Sequence, residues 1–164
     1  MDPKSGDRVL DIGSGKGEKA GRILQAFPGT EVFAVDPNEG RINQAKRNYP
    51  AVKSSVAGAE KLPFEDAYFD KAYSTMALHH FANLDQGLAE ITRILKHGGS
   101  YVVLEVEPGS LAGRMFRFFG GLMGEHMNIM TMAHCADALK VAGDLEVVQS
   151  TNLGPRYLIH LRRR

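Results

Sequence analysis

The stretch that most constrains the fold is VLDIGSGKGEKA, which runs from Val9 to Ala20 near the start of the chain. It is a short apolar run interrupted by the carboxylate of Asp11, followed by glycines at positions 13, 15 and 17 and then by a helix-like pattern. Alternate glycines let the backbone turn sharply and approach a bound molecule closely. The stretch therefore predicts a strand, a tight ligand-holding loop and a helix, in that order.

Strand-like and helix-like segments alternate along the rest of the chain, without an internal repeat or a low-complexity linker. Five strand-like runs lead from RVLDI to SYVVLEVE, and two more, DLEVVQST and RYLIHLR, are separated by a short Gly-Pro turn that favours an antiparallel hairpin. This pattern predicts an α/β fold with one domain over residues 1–164. Its doubly wound sheet has seven strands, mostly parallel, with one antiparallel strand.

Capping residues, glycines and prolines predict where the helices begin and end. The segment between Leu111 and Met132, rich in Met, Phe and Gly, shows no clear periodicity and is predicted to be irregular. Helices are predicted from Gly17 to about Phe27, from Asn38 to Asn48, from Asn83 to an exit at Gly98-Gly99, and from about Thr131 to Ala142.

The composition narrows the possible classes of function. The formal net charge is +1 with both signs interspersed, so the chain lacks the basic surface that nucleic-acid binding needs. Cys135 is the one cysteine, which excludes an internal disulfide and a cysteine-built metal cage and favours a reducing cytoplasm. The start of the chain is polar and no apolar run approaches the ~18 residues of a membrane span, so neither export nor membrane insertion is predicted.

Several nucleotide-binding loops contain glycines at this density, and the residues distinguish among them. A P-loop needs a glycine at the position of Leu10 and a Ser or Thr at the position of Gly17, so this possibility fails. The dinucleotide fingerprint G-x-G-x-x-G/A fits in the register Gly15, Gly17 and Ala20. Spacing alone therefore leaves a dinucleotide possible.

The charges beside the loop argue against a phosphorylated ligand. A pyrophosphate at the helix N-terminus would be repelled by Asp11 at the strand end and by Glu18 in the first helical turn. A cationic ligand would instead be attracted, and S-adenosylmethionine carries both an ammonium and a sulfonium. The run from Asp11 to Gly17 resembles motif I of the class I S-adenosylmethionine-dependent methyltransferases.

Other segments resemble the same family in order and spacing, closest to its small quinone-biosynthesis methyltransferases. These segments are AEKLPFEDAYFD at residues 59–70 and RILKHGGSYVVLE before the fifth strand, and Asp36 lies 23 residues after Gly13. The resemblance implies that the loop holds the methionine portion, that the acid ending the second strand accepts the ribose hydroxyls, and that AE surrounds the adenine. The implied cofactor-binding residues are Asp11, Gly13, Ser14, Gly15, Gly17, Asp36, Pro37, Ala59, Glu60 and Ser74.

The chain departs from the family pattern at two places. Gly58 occupies the position where the family usually has an aspartate that accepts from the adenine amino group, which predicts weaker adenine recognition or a water in its place. Only seven residues precede Arg8, whereas relatives usually carry one or two helices there. We therefore expect N-terminal helices to be largely absent, and the cofactor site to be open or completed by another chain.

Methyl transfer from a sulfonium is an in-line displacement with an activated leaving group, so positioning and desolvation supply most of the acceleration. A dedicated base is optional, and it would lie beyond the carboxyl ends of strands four and five. His79 and His80 follow strand four, and Glu105 and Glu107 end strand five. The two histidines are the candidate catalytic residues, with a purely structural role as the alternative, and no metal site is predicted.

The acceptor is predicted to be a small molecule. After strand four the chain reads STMALHH and lacks the Asn/Asp-Pro-Pro-aromatic box of many amino methyltransferases. The segment from Leu111 to Met132 lies where such enzymes insert a substrate cover, and methionines adapt to irregular apolar shapes. The methionines and phenylalanines of this segment have two possible roles. They bind an apolar or lipid-like acceptor, or they fill the hydrophobic core.

Two other functions stay open at this point. A nicotinamide-dependent oxidoreductase would also use an acid at Asp36, and would bind NAD(H) but not S-adenosylhomocysteine. A non-catalytic or partner-dependent subunit would bind S-adenosylmethionine without turnover until a partner chain, or a second copy, covers the open site.

Overall fold

The computed structural model describes residues 2–122, 129–141 and 144–164. The strands are β1 (Arg8–Ile12), β2 (Glu31–Asp36), β3 (Lys53–Val56), β4 (Phe69–Thr75), β5 (Leu95–Val106), β6 (Leu145–Asn152) and β7 (Arg156–Arg163). The helices are α1 (Glu18–Ala26), α2 (Glu39–Asn48), α3 (Leu84–Ile94), α4 (Leu111–Leu122) and α5 (Met132–Val141), with a short 3₁₀ helix at Leu78–His80.

All seven strands form one sheet in the order β3-β2-β1-β4-β5-β7-β6. β1 to β5 run parallel to one another, whereas β7 runs antiparallel to its two neighbours, β5 and β6. The predicted α/β class, the strand number and the single reversed strand are confirmed. The strand order changes direction between β1 and β4, and open sheets of this kind bind ligands at the carboxyl ends of the strands beside that point.

The central strands are buried because helices cover the parallel part of the sheet. In β1, Val9, Leu10 and Ile12 are at most 1% exposed, which explains why the strand is apolar apart from Asp11 and its first residue. Phe33 of β2 packs edge-on against Phe64 and Phe69, with ring centroids 5.8 and 5.2 Å away. This packing joins β2 to the start of β4 and to the segment before it.

The structure differs from the predicted elements in two places. The segment predicted to be irregular contains α4, because the Ser110 hydroxyl accepts from the Gly113 amide at 2.9 Å and so caps the helix. The helix predicted to run from Asn83 to the Gly98-Gly99 exit ends earlier, and β5 begins directly at Leu95. The predicted Asn83 cap is correct, since its side chain accepts from the Gln86 amide at 3.0 Å.

Two predicted boundaries shift by smaller amounts. The run FDKAYSTMAL predicts a fourth strand that leads into a loop, and the strand ends at Thr75, because Met76 adopts a φ of 53° that interrupts the extended backbone. The last helix begins at Met132, with the Thr131 hydroxyl accepting from the His134 amide at 3.3 Å. Its predicted end at Ala142 lies outside the described residues. Within the described ranges no helix is both long enough and apolar enough to cross a membrane.

Candidate functional site

The glycine loop between β1 and α1 is held in a backbone shape that only glycine adopts easily. Gly13, Gly15 and Gly17 have φ values of 73°, 57° and 80°. A Cβ atom on Gly13 would lie 2.4 Å from the Cβ of Ala77, which follows β4. The loop therefore packs directly against the segment after β4, and this contact brings two strand ends together around one site.

Asp36, the last residue of β2, stabilises the loop from the side. Its Oδ2 accepts from the Gly15 amide and its Oδ1 accepts from the Asn38 amide, both at 2.9 Å. The residue is 3% exposed, yet each carboxylate oxygen keeps a second lone pair for another donor. Asp36 is thus positioned both to shape the loop and to accept a hydrogen bond from a hydroxyl group of a bound molecule.

Asp11 lies beneath the same loop with an unsatisfied charge. It is 1% exposed, and its Oδ2 receives no hydrogen bond from any described residue. Burial raises the pKa of Asp11 from 3.8 to about 7, an effect that the nearby Tyr73 hydroxyl and the Lys19 charge partly offset. A buried carboxylate oxygen without a hydrogen-bond donor is costly, so this arrangement favours a cationic ligand above Asp11.

Two adjoining clefts open around the loop, and Gly13 and Met76 border both of them. The larger cleft, of about 540 Å³, lies between the ends of β2 and β4, and the smaller cleft, of about 300 Å³, lies over the loop itself. Lys16, Glu18 and Lys19 give the smaller cleft charges of both signs. Its shape and charge suit a zwitterionic group, and the larger cleft suits a nucleoside.

Seven of the ten predicted cofactor residues border these clefts. Ser74 borders neither cleft, and its hydroxyl bonds to the Tyr101 hydroxyl between β4 and β5. Asp11 and Gly17 support the loop without lining a cleft. Gly13, Asp36, Pro37, Ala59 and Glu60 border the larger cleft, and Gly13, Ser14 and Gly15 border the smaller one.

The two candidate catalytic histidines have different surroundings. His80 is exposed and borders the larger cleft. His79 is 2% exposed and points into the protein, where its Nδ1 lies 2.7 Å from Oε2 of Glu105. The sequence could not distinguish the neighbours, because both belong to one short 3₁₀ turn.

Glu105 organises the segment after β4. It is 3% exposed, and its Oε1 accepts from the Ala77 amide at 3.0 Å and from the Leu78 amide at 2.8 Å. Sequence analysis placed Glu105 only at a strand end and missed this role. The sequence does contain an indication of this role, because Glu105 lies inside the apolar run SYVVLEVE and a buried acid needs hydrogen-bond donors around it.

We expect Glu105→Ala to lower the free energy of unfolding by about 3 kcal/mol, because it leaves two backbone amides and His79 without their acceptor. Glu105→Gln keeps an oxygen for the two amides, so its loss is expected to be about 1 kcal/mol. Urea unfolding of both variants measures the difference. Equal losses would show that Glu105 does not act through these amides.

Among the residues that the structure describes, the other reactive side chains do not assemble into a second centre. Cys135 is buried, and burial raises the pKa of its thiol to about 12, which keeps it protonated at neutral pH. Across the described ranges, no three or more His, Cys, Asp or Glu side chains lie in an arrangement that could hold a metal ion. His126 lies outside those ranges.

Comparisons with known proteins place this architecture in a family. The family described as "Methyltransferase domain" matches residues 10–103. The ubiquinone/menaquinone biosynthesis C-methyltransferase UbiE of Bordetella parapertussis is 36% identical over 107 residues, covering 62% of this chain and 42% of its own length. The demethylmenaquinone methyltransferase of Deinococcus radiodurans is 33% identical over 118 residues, covering 68% and 49%. The chain thus spans less than half the length of these curated relatives.

Solved structures share the fold at lower identity. A methyltransferase crystallised with the Haloferax volcanii Trm112 activator aligns with a TM-score of 0.88 at 20% identity, over 99% of this chain and 85% of that one. The geranyl diphosphate C-methyltransferase of Streptomyces coelicolor aligns with a TM-score of 0.82 at 17% identity, over 99% and 72%. Because the family match includes the glycine loop and covers more than half of the sequence, this chain belongs to the class I S-adenosylmethionine-dependent methyltransferase family.

Proposed function

We propose that residues 1–164 form a methyltransferase domain that binds S-adenosylmethionine and methylates a small apolar or lipid-like acceptor. The observation that carries the proposal is the buried Asp11 carboxylate, whose Oδ2 has no partner among the described residues and lies beneath the glycine loop. A cationic ligand in the loop supplies that partner. The single cysteine of the chain supports a reducing cytoplasm as its location.

The charges at the two clefts match the parts of S-adenosylmethionine. In the smaller cleft, an α-ammonium would be attracted by Asp11 from below, and an α-carboxylate by Lys16 and Lys19 at the rim. In the larger cleft, Asp36 offers free lone pairs to the ribose hydroxyls, and Ala59 and Glu60 border the space for the adenine. The site also favours a cationic nucleoside over NAD(H), because the carboxylates of Asp11 and Glu18 would repel the pyrophosphate of NAD(H).

S-adenosylmethionine, when bound, supplies a methyl group on a sulfonium, which an acceptor removes by in-line displacement. The residues of this chain align the reactants and exclude water, which is the main requirement of such a displacement. Where the acceptor must also lose a proton, His80 is the candidate, because it borders the larger cleft. His79 would act through Glu105 as a positioning residue for the same turn.

An apolar acceptor is supported by the cleft and by the relatives. Met76, Ala77 and Phe81 border the larger cleft next to His80. The curated relatives include methyltransferases of ubiquinone and menaquinone biosynthesis, and a structural neighbour is a geranyl diphosphate C-methyltransferase. Quinols and isoprenoids share a reactive carbon and an apolar body, which is the acceptor class that we propose.

The proposal is tested by calorimetry and turnover on the whole chain. We expect S-adenosylhomocysteine to bind and NAD(H) not to bind, and we expect methyl transfer to a naphthoquinol with an isoprenoid tail. A chain that binds NAD(H) and leaves S-adenosylhomocysteine free would contradict the proposal. Methyl transfer only to polar amines would contradict the proposed acceptor class, and the proposed cofactor would still stand.

We expect His80→Ala to lower kcat by about 100-fold with little change in the affinity for S-adenosylhomocysteine, because a general base acts in the chemical step. His134→Ala serves as the matched control, since His134 is exposed and borders neither cleft. Equal activity of both variants would remove His80 from the reaction.

A second candidate is a subunit that turns over only with a partner or a second copy. The observation in its favour is an exposed apolar face on α4, formed by Leu111, Met115, Phe118 and Leu122, which are 52% to 77% exposed. A structural neighbour is a methyltransferase in complex with an activator protein. Light scattering of the purified chain tests self-association: a monomer that binds S-adenosylhomocysteine but gives no turnover supports the need for another chain, and an active monomer excludes it.

A further inference from the structure

We propose that Glu60 supplies the carboxylate that recognises the amino group of the nucleobase, in place of the acid that is missing at position 58. This inference rests on the proposed function, because it names the residue that hydrogen-bonds to the adenine in the same site. It replaces the expectation from the sequence that Gly58 leaves adenine recognition weak.

One oxygen of Glu60 is fixed by the backbone. Its Oε1 accepts from the Ala82 amide at 2.6 Å and from the Asn83 amide at 3.2 Å, immediately before α3. These two donors orient the whole carboxylate, and among the described residues both of its hydrogen bonds go to Oε1. The side chain is half-buried and borders the larger cleft, so Oε2 is an available acceptor.

The free oxygen occupies the space that Gly58 leaves. A Cβ atom on Gly58 would lie 2.9 Å from Oε2 of Glu60. A side chain at position 58 would thus begin where the Glu60 carboxylate now ends. Gly58 and Glu60 both border the larger cleft together with Ala59, so the cleft keeps one carboxylate at this wall. The glycine makes room for an acid that comes from two residues further along the chain.

A carboxylate at this wall selects between bases by hydrogen-bond direction. The 6-amino group of adenine is a hydrogen-bond donor and can bond to Oε2. The 6-oxo group of hypoxanthine is an acceptor, so it would be repelled by the carboxylate oxygen. A charge-assisted hydrogen bond is about twice as strong as a neutral one. Sites built to pair with one polar group reject the analogue that lacks it.

The test compares S-adenosyl-L-homocysteine with S-inosyl-L-homocysteine in the wild-type chain and in Glu60→Gln. The glutamine oxygen stays with the Ala82 and Asn83 amides, because the alternative orientation would place donor against donor. Its amide nitrogen then faces the base as a donor. We expect the adenosyl compound to bind about 10-fold to 100-fold more weakly and the inosyl compound to bind more tightly, so that the preference falls or reverses.

Two further variants separate base recognition from a structural role. Glu65→Gln, at an exposed site of the same connecting segment, should keep the wild-type preference. Gly58→Asp combined with Glu60→Ala, which clears the space that a Cβ at position 58 needs, returns a carboxylate to the wall and should bind the adenosyl compound more tightly than Glu60→Ala alone. A loss of folding cannot produce such a rescue.

The outcomes separate this inference from the proposed function. If the wild-type chain binds neither compound, the proposed function fails. If the wild-type chain prefers the adenosyl compound and Glu60→Gln keeps the same preference, S-adenosylmethionine stays the cofactor and Glu60 is not the base-reading residue.

Discussion

Asp11→Asn is expected to change ligand affinity and protein stability in opposite directions. Asparagine removes the charge that attracts the α-ammonium, so we expect the affinity for S-adenosylhomocysteine to fall by about 100-fold at pH 8. It also removes a buried carboxylate without a partner, so we expect the ligand-free variant to be more stable than the wild type at that pH. Calorimetry and urea unfolding on the same samples measure the two effects.

The pH dependence of stability follows from the raised pKa of Asp11. Burial raises this pKa from 3.8 in the unfolded chain to about 7, so the folded state holds a proton that the unfolded state releases. The contribution of Asp11 to stability is complete below pH 4 and is lost as the pH rises to 7, by about 4 kcal/mol in total. In Asp11→Asn this loss is absent, and the difference between the two proteins should develop between about pH 4 and pH 7.

Ligand binding should depend on pH in the opposite sense. Asp11 must lose its proton to attract the ammonium, so the affinity of the wild type should fall about 10-fold per pH unit below pH 7. The variant should lack this slope. A pH-independent affinity in the wild type would remove Asp11 from the binding site, and a less stable variant at pH 8 would show that the carboxylate has a partner after all.

Gly13→Ala is expected to lower the free energy of unfolding by about 3 to 5 kcal/mol. Part of this loss is backbone strain, since Gly13 has a φ of 73°, and the larger part is the clash of the new Cβ with the Ala77 Cβ 2.4 Å away. Gly98→Ala is the matched control: its φ is 75°, and a Cβ there meets nothing within 4 Å. We expect the control to lose only about 1 to 2 kcal/mol.

A double variant isolates the contact between the two segments. Ala77→Gly removes the clashing methyl group, so it should recover part of the stability that Gly13→Ala loses. Urea unfolding of the four proteins of this cycle gives the coupling energy. If Gly13→Ala costs no more than Gly98→Ala, the loop is not packed against the segment after β4, and the two clefts do not share a wall there.

Features that depend on near neighbours in the chain were predictable from the sequence. The glycine loop, the α2 and α3 caps at Asn38 and Asn83, and the reversed final strand follow from spacing and capping preferences that act within a few residues. Helix α4 was missed because its three glycines lower helix propensity. The Ser110 cap offsets part of that penalty, and the cap can be identified only in the folded chain.

The fold class, the family and the charges around the glycine loop could be predicted from the sequence. That His80 borders the larger cleft, while His79 bonds to Glu105, 26 residues further along the chain, became visible only in the folded structure. Only the structure brought Glu60 to the amides before α3 and into the space beside Gly58. The physical reason is that burial and hydrogen-bond partners are set by segments that meet through the sheet, and no local preference encodes which side chains meet there.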